Sequence, residues 1–208
     1  MTNQDQAYKY IKDQIIAGKY QPGHVFSENQ LSIRLNMSRT PIREAFKKLE
    51  NDGLIERNGQ ETKVTKVDSE ELKENYELRS MMEGYALNKS FKNLDRNQLN
   101  SFESKFRSAL DQKNWQLYLE CDEKFHCYLT KSEDKVTLQK ELDLLQSQTN
   151  RMRYAIRDDQ RCMKSSVKEI LEIISAIRED DQDQAIKKLR QHIESVYEWE
   201  SSYLEQHE

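Results

Sequence analysis

Apolar residues return at every third or fourth position along almost the whole of this chain, from Tyr8, Ile11 and Ile15 near its start to Leu189, Ile193 and Val196 near its end. That spacing lines one side of an α-helix turn after turn, and it disfavours most sheet architectures before any other feature is weighed. Glycine and proline, which tight sheet turns require, number only 5 and 2 in 208 residues, so a mainly helical fold is expected. Charged residues make up 34% and the hydrophobic set 36%. Amphipathic helices accommodate that polar balance, whereas a disordered chain has no reason to keep the period. The length suits two modest domains. No stretch is apolar for long enough to cross a bilayer, and the opening MTNQDQAYKYIKDQ lacks the apolar core of a secretion signal; no membrane contact and a cytoplasmic location are expected. Cys121, Cys127 and Cys162 show no C-x-x-C spacing and read as buried reduced thiols.

The N-terminal third departs from uniform helix in an informative order. The Tyr8, Ile11, Ile15 face ends at Gly18, placed where a left-handed residue closes a helix, and Tyr20-Gln21-Pro22-Gly23 is a turn. Ser27 with Gln30 forms a capping box for a second short helix bearing Leu31 and Leu35, which Asn36-Met37 ends. A third helix opens near Ser38 or Thr40, with Pro41 tolerated in its first turn. Its apolar face is Ile42, Ala45, Phe46 and Leu49, while Arg39, Arg43 and Lys47 form a separate basic stripe. After Gly53 the period becomes that of strands, Leu54 to Arg57 and Thr62 to Thr65, around Asn58-Gly59. Helices at a tight turn followed by a hairpin make a winged helix-turn-helix. Arginine at the start of its third helix can hold phosphate or take guanine O6 and N7 bidentately, and Thr40 can donate to a phosphate or a base edge. A solvated helix face is the alternative reading of the stripe. Charge agrees with a DNA contact here: residues 1–66 carry 11 basic and 8 acidic side chains, a net of +3, against a total of −4.

From Asp68 onward only helical periodicity remains: Leu78, Met81 and Tyr85; Leu99, Phe102 and Phe106; Leu138, Leu142, Leu145, Met152 and Ile156; Ile170, Ile173, Ile174 and Ile177; Ile186, Leu189, Ile193 and Val196. Polar breaks near 92–95, 112–114, 130–135, 158–165 and 180–183 divide this region into about six antiparallel helices. The expected architecture is mainly α, a winged helix-turn-helix over residues 1–67 followed by an all-α bundle over 68–208. A single winged helix buries too little surface for tight specific binding, so a homodimer reading two half-sites is expected.

The run YQPGHVFSENQLSIRLNMSRTPIREAFKKLENDGLIE resembles the GntR family of bacterial repressors and activators, with SRTPIREA and LENDGLI its most diagnostic parts. The resemblance implies that Arg39, Thr40 and Arg43 read or hold double-stranded operator DNA and that Asn58 and Gly59 form the wing tip at the minor groove; Lys47 extends the basic stripe toward phosphate. Asn29 stands where some members place an additional DNA-contacting arginine. The segments ELRSMMEGYAL, DEKFHCYL and AIREDDQDQAIKKLRQHI resemble the FCD effector domain of the FadR branch. A transcriptional regulator whose operator affinity answers to a small-molecule effector is implied, the effector being an organic acid or, without metal, an acyl-CoA-like compound.

Asp122 and His126 lie four apart and can face one point in a bundle interior, a spacing that suits a divalent metal. In FCD domains this Asp and His join two later histidines around a metal that meets the effector carboxylate. His192 matches one of the two, and the other position is Ile170, which cannot coordinate. The incomplete set of Asp122, His126 and His192 still offers one oxygen and two nitrogens to zinc, nickel or manganese. A buried hydrogen-bonded cluster is the alternative. Arg79 matches an arginine that lines the effector cavity in many FCD domains; alternatively it pairs with Glu83 at i+4. A helical metalloenzyme is the competing function class, but the chain carries no H-E-x-x-H, phosphate-cradling loop or nucleophile elbow.

Overall fold

The computed structural model describes residues 2–59, 61–66, 68–131, 136–155 and 160–207. Two compact units are resolved by their internal packing, Met1–Asp68 with Asn150–Ala155, and Ser69–Thr149 with Ile156–Glu208.

The first unit holds helices α1 (Asn3–Ile16), α2 (Glu28–Leu35) and α3 (Arg39–Asn51) and the strands β1 (Ile55–Asn58) and β2 (Glu61–Val64). A full capping box starts α1, Thr2 accepting from the Asp5 amide and Asp5 accepting from the Thr2 amide. Ser27 makes half of such a box, its hydroxyl accepting from the Gln30 amide at 3.4 Å. Asn36 ends α2 in the left-handed conformation, φ +51°, a cost that asparagine bears more readily than most residues. Ala7, Ile11, Ile15, Phe26, Leu31, Ile42, Ala45, Phe46, Leu49, Leu54, Ile55 and Val64 form one core. Each large side chain in it contributes about 1.5–3 kcal/mol by leaving water.

The antiparallel hairpin pairs Ile55 with Val64 and Asn58 with Glu61. Asn58 is therefore the last residue of β1 rather than a loop residue, and the turn begins at Gly59, whose φ of +63° suits the first position of a two-residue loop. The strands thus lie one residue closer to the turn than the sequence expectation of Leu54–Arg57 and Thr62–Thr65, and the pairing keeps both Ile55 and Val64 in the core. Val25 adds a further bridge to Lys63, with the Phe26 amide donating to the Thr62 carbonyl at 2.8 Å. That short edge pins the turn ahead of α2 to the wing.

Among the described residues the regular elements that follow are all helical: α4 (Ser69–Ser90), α5 (Asn97–Asp111), α6 (Trp115–Thr130), α7 (Val136–Ala155), α8 (Gln160–Arg178) and α9 (Gln182–His207), with a 3₁₀ turn at Phe91–Asn93; they make up the second unit, apart from the end of α7 from Asn150 on, which is grouped with the first. Asn114 caps α6 by accepting from the Leu117 amide at 3.0 Å, and Asp181 does the same for Gln184 at 2.9 Å. Helix α8 begins at Gln160 and buries Cys162 and Met163, so the polar stretch expected over 158–165 is largely helical. The Met152 side chain and Ile156 lie outside the described residues. Cys121 and Cys162 are buried free thiols, whereas Cys127 is half-buried.

Helix α4 inverts one expectation. Leu78, Met81 and Tyr85 are 37%, 57% and 49% exposed, while the inward face carries Leu72, Tyr76, Arg79, Glu83, Ala86 and Leu87. Both faces hold apolar residues at helical spacing, so periodicity could not choose between them. The face that carries the charged pair is the one inside, with Arg79 and Glu83 joined at 2.6 Å.

Candidate nucleic-acid interface and candidate metal centre

The third helix divides as its sequence dictates. Ile42, Ala45, Phe46 and Leu49 are buried, and Arg39, Thr40, Arg43 and Lys47 are exposed along the other side. Ser38 holds the N-cap without a side-chain hydrogen bond to the helix. The first amides of α3 thus keep donors and the positive end of the helix dipole for an anion. Arg43 Nε donates to both Glu28 carboxylate oxygens at 2.9 Å, which holds its guanidinium more firmly protonated. Lys47 pairs with Glu44 at 2.8 Å, an exposed pair with little hold on its partner. Asn58 and Gly59 are exposed at the tip of the hairpin, and Asn29 is exposed in the first turn of α2. Glu28 was not legible as a participant, because its partner is 15 residues away on another helix.

In the helical unit, α6 supplies Asp122 and His126 and α9 supplies His192, all fully buried. One ligand atom from each lies within 4.8 Å of the others. Both histidine Nε2 atoms are 3.8 Å from Asp122 Oδ1, and the two rings stack with centroids 5.5 Å apart. The opposite ring nitrogens are committed elsewhere: His126 Nδ1 is 2.5 Å from Glu83 Oε2, and His192 Nδ1 is 3.0 Å from Glu169 Oε2. An ionised carboxylate only accepts, so each Nδ1 donates, and in the neutral ring this fixes the tautomer whose Nε2 lone pair is directed at the cluster. His126 Nε2 is buried with no hydrogen-bond partner among the described residues. Burial also lowers the His192 pKa, favouring the neutral imidazole that binds metals. An orphaned buried nitrogen, a second neutral imidazole and a carboxylate make a donor set that fits a divalent cation.

Arg79 sits beside this cluster. Its Nε donates to Glu83 Oε1 at 2.6 Å and its Nη1 to Thr149 at 3.4 Å, with only 2% of its side chain exposed. The i+4 pair is therefore present, but it is desolvated and so unlike the weak surface pairs of an isolated helix. Burial alone would raise the Glu83 pKa; the Arg79 charge and the His126 contact overcome that and hold it at about 2. On α8, Ser166 Oγ lies 2.5 Å from the Tyr118 hydroxyl, which is 3.5 Å from Asp122. Ile170, fully buried, follows Ser166 by one turn and so lies on the same face of α8. Glu83, Glu169 and Ser166 were not assigned to the cluster in the sequence because each meets it across helices, a relation no local spacing records, whereas Tyr118 lies four residues before Asp122 on α6 and its spacing was there to be read.

Comparison with known proteins accords with both halves. Residues 3–63 match the model of the family described as bacterial regulatory proteins, gntR family, and residues 74–195 match that of the FCD domain. The chain is 27% identical over 197 residues to the HTH-type transcriptional repressor RspR of Escherichia coli (strain K12), covering 93% of this chain and 86% of that one. Its fold is similar to that of E. coli McbR/YncC, with a TM-score of 0.82 at 18% identity over 100% of this chain and 99% of that one. It is also similar to a GntR transcriptional regulator from Rhodococcus sp. RHA1, with a TM-score of 0.83 at 19% identity over 96% and 98% of the respective chains. Matched by the gntR model over its winged helix-turn-helix and by the FCD model over more than half of its length, this chain belongs to the GntR family of bacterial regulators, as a DNA-binding transcriptional regulator with an FCD effector domain.

Proposed function

We propose that residues 1–67 grip operator DNA through Arg39, Thr40, Arg43 and Lys47 on α3 and through Asn58 and Gly59 at the wing, and that residues 68–208 bind the effector and form a homodimer in the cytoplasm. The observation that carries the DNA reading is the exposed Arg39, Thr40, Arg43 stripe at the uncapped start of α3, where side chains and helix amides serve the same anionic backbone. Among the described residues no helix is long and apolar enough to cross a membrane. Arg43 exchanges Glu28 for DNA on binding. With duplexes selected from a random pool, Arg43→Ala is expected to weaken specific binding by roughly 1–3 kcal/mol at fixed salt, with an unchanged melting temperature. Lys47→Ala should instead weaken all sequences alike and flatten the salt dependence by about one unit. Unaltered affinity in the Arg43 variant would remove that residue from the interface.

Dimerisation is supported by the apolar stripe of Leu78, Met81 and Tyr85 on α4, which stands in solvent in a single copy of the chain. A second copy related by a two-fold axis would cover it and set two recognition helices on two half-sites. Met81→Glu is expected to shift sedimentation from dimer to monomer at micromolar concentration and to weaken operator binding. A dimer unmoved by that charge would place the interface elsewhere.

Asp122, His126 and His192 hold a divalent cation in this reading, and Arg79 faces the acid group of an organic-acid effector. A cation bound there supplies a Lewis-acidic position for a carboxylate ligand, and the three protein donors leave coordination places open for it. An acyl-CoA-like effector bound without metal is the alternative, favoured by the apolar Ile170 at the fourth position. Metal analysis of protein purified without chelator, followed by thermal-shift measurements with carboxylates and with acyl thioesters, separates the two.

A further inference from the structure

The two metal-facing histidines are each held from behind by a different carboxylate, and no local sequence pattern requires it. Glu83 on α4 takes His126 Nδ1 at 2.5 Å, and Glu169 on α8 takes His192 Nδ1 at 3.0 Å. The result is a pair of near-parallel imidazoles, 21° between planes, with both Nε2 atoms equidistant at 3.8 Å from one Asp122 oxygen. Left to themselves, buried imidazoles could present either nitrogen, and a buried His126 Nε2 with no hydrogen-bond partner among the described residues is an unfavourable arrangement for a cluster that serves packing alone. Each carboxylate is itself secured, Glu83 by Arg79 at 2.6 Å and Glu169 by Ser165 at 3.1 Å.

Resting on the metal reading above, we infer that Glu83 and Glu169 are positioning residues of the cation site, fixing the tautomer and ring orientation of His126 and His192 so that three donors from two helices meet one ion. Carboxylates in this outer position orient the imidazole and raise its basicity toward the metal, and their loss typically weakens metal binding roughly 10–100-fold. The effect should be larger here than in a four-ligand site, because Ile170 leaves no further histidine to hold the ion while one ring turns. The two carboxylates differ in a useful way: Glu83 is buried with Arg79 and its loss disturbs folding, whereas Glu169 is 22% exposed and tolerates change better.

The test is cobalt(II) titration of the full chain, read by the visible d–d spectrum and by dissociation constant, for the parent, Glu169→Ala, Glu169→Gln and Glu83→Gln. Glu172→Ala serves as control, since Glu172 is on the same helix but bonds Lys188 at 2.7 Å rather than a histidine. Expected are a roughly 10–100-fold weaker dissociation constant and an altered spectrum for Glu169→Ala, a smaller loss for Glu169→Gln, which keeps a neutral acceptor, and no change for the control. Cobalt bound by the parent with an unchanged constant and spectrum in Glu169→Ala would overturn the positioning role while leaving the metal site standing. A parent that takes up no cobalt at all would overturn both.

Discussion

Glu83→Ala is expected to lower the stability of the protein by about 3–5 kcal/mol, among the largest losses open to any polar side chain in the helical unit. The reason lies in what the substitution leaves behind. Arg79 is 2% exposed and its Nε is held by Glu83 at 2.6 Å, so alanine removes that counter-charge from a guanidinium in a medium that cannot hydrate it. His126 loses the acceptor of its Nδ1 proton in the same step. Urea unfolding should show a lower midpoint with an unchanged slope, as expected when stability changes and the exposed surface does not. Replacing both partners, Arg79→Met with Glu83→Leu, should recover the part of the loss that comes from the buried charge, because a buried pair exchanged for apolar side chains of similar volume is often neutral, and leave the part that comes from the His126 Nδ1 proton. A loss under about 1 kcal/mol for Glu83→Ala would mean that water reaches the pair and that it behaves as a surface ion pair.

Ile170→His is expected to raise the affinity for zinc, nickel or manganese at least by the roughly 10–100-fold that a single outer-sphere partner is worth, since it adds a direct ligand. The fully buried Ile170 lies one helical turn beyond Ser166, whose hydroxyl joins Tyr118 and through it Asp122, and it adjoins Glu169, which holds His192. An imidazole at that place extends the donor set from one oxygen and two nitrogens to one oxygen and three nitrogens. Inductively coupled plasma analysis of parent and variant purified side by side, with competition against a chromogenic chelator, measures the gain. A variant with no more metal than the parent would show that position 170 does not address the cluster. A gain accompanied by a lower affinity for a carboxylate effector would show that the open coordination place of the parent is where that effector enters.

The N-terminal unit was almost fully legible in order and type, and so were the buried and exposed sides of its third helix. Local rules govern there: Gly18 and Asn36 stop helices through their backbone freedom, Ser27 starts one, and the apolar and basic stripes of α3 follow from 3.6 residues per turn. The wing strands differ from the sequence reading by one residue at each end, because turn propensity marks Asn58 as loop while the ladder pairs it with Glu61.

What the sequence by itself determined is therefore helix periodicity, the one change to strand spacing, and the identities of Asp122, His126 and His192 as a set worth watching. Tertiary structure alone decided which face of α4 turned inward, since Leu78, Met81 and Tyr85 offered as good an apolar stripe as the face that was buried. It also decided the partners of the histidines. Glu83 precedes His126 by 43 residues, and Glu169 precedes His192 by 23. Their meeting depends on how helices pack side by side, and a desolvated charge is tolerated only where packing brings its counter-charge to it.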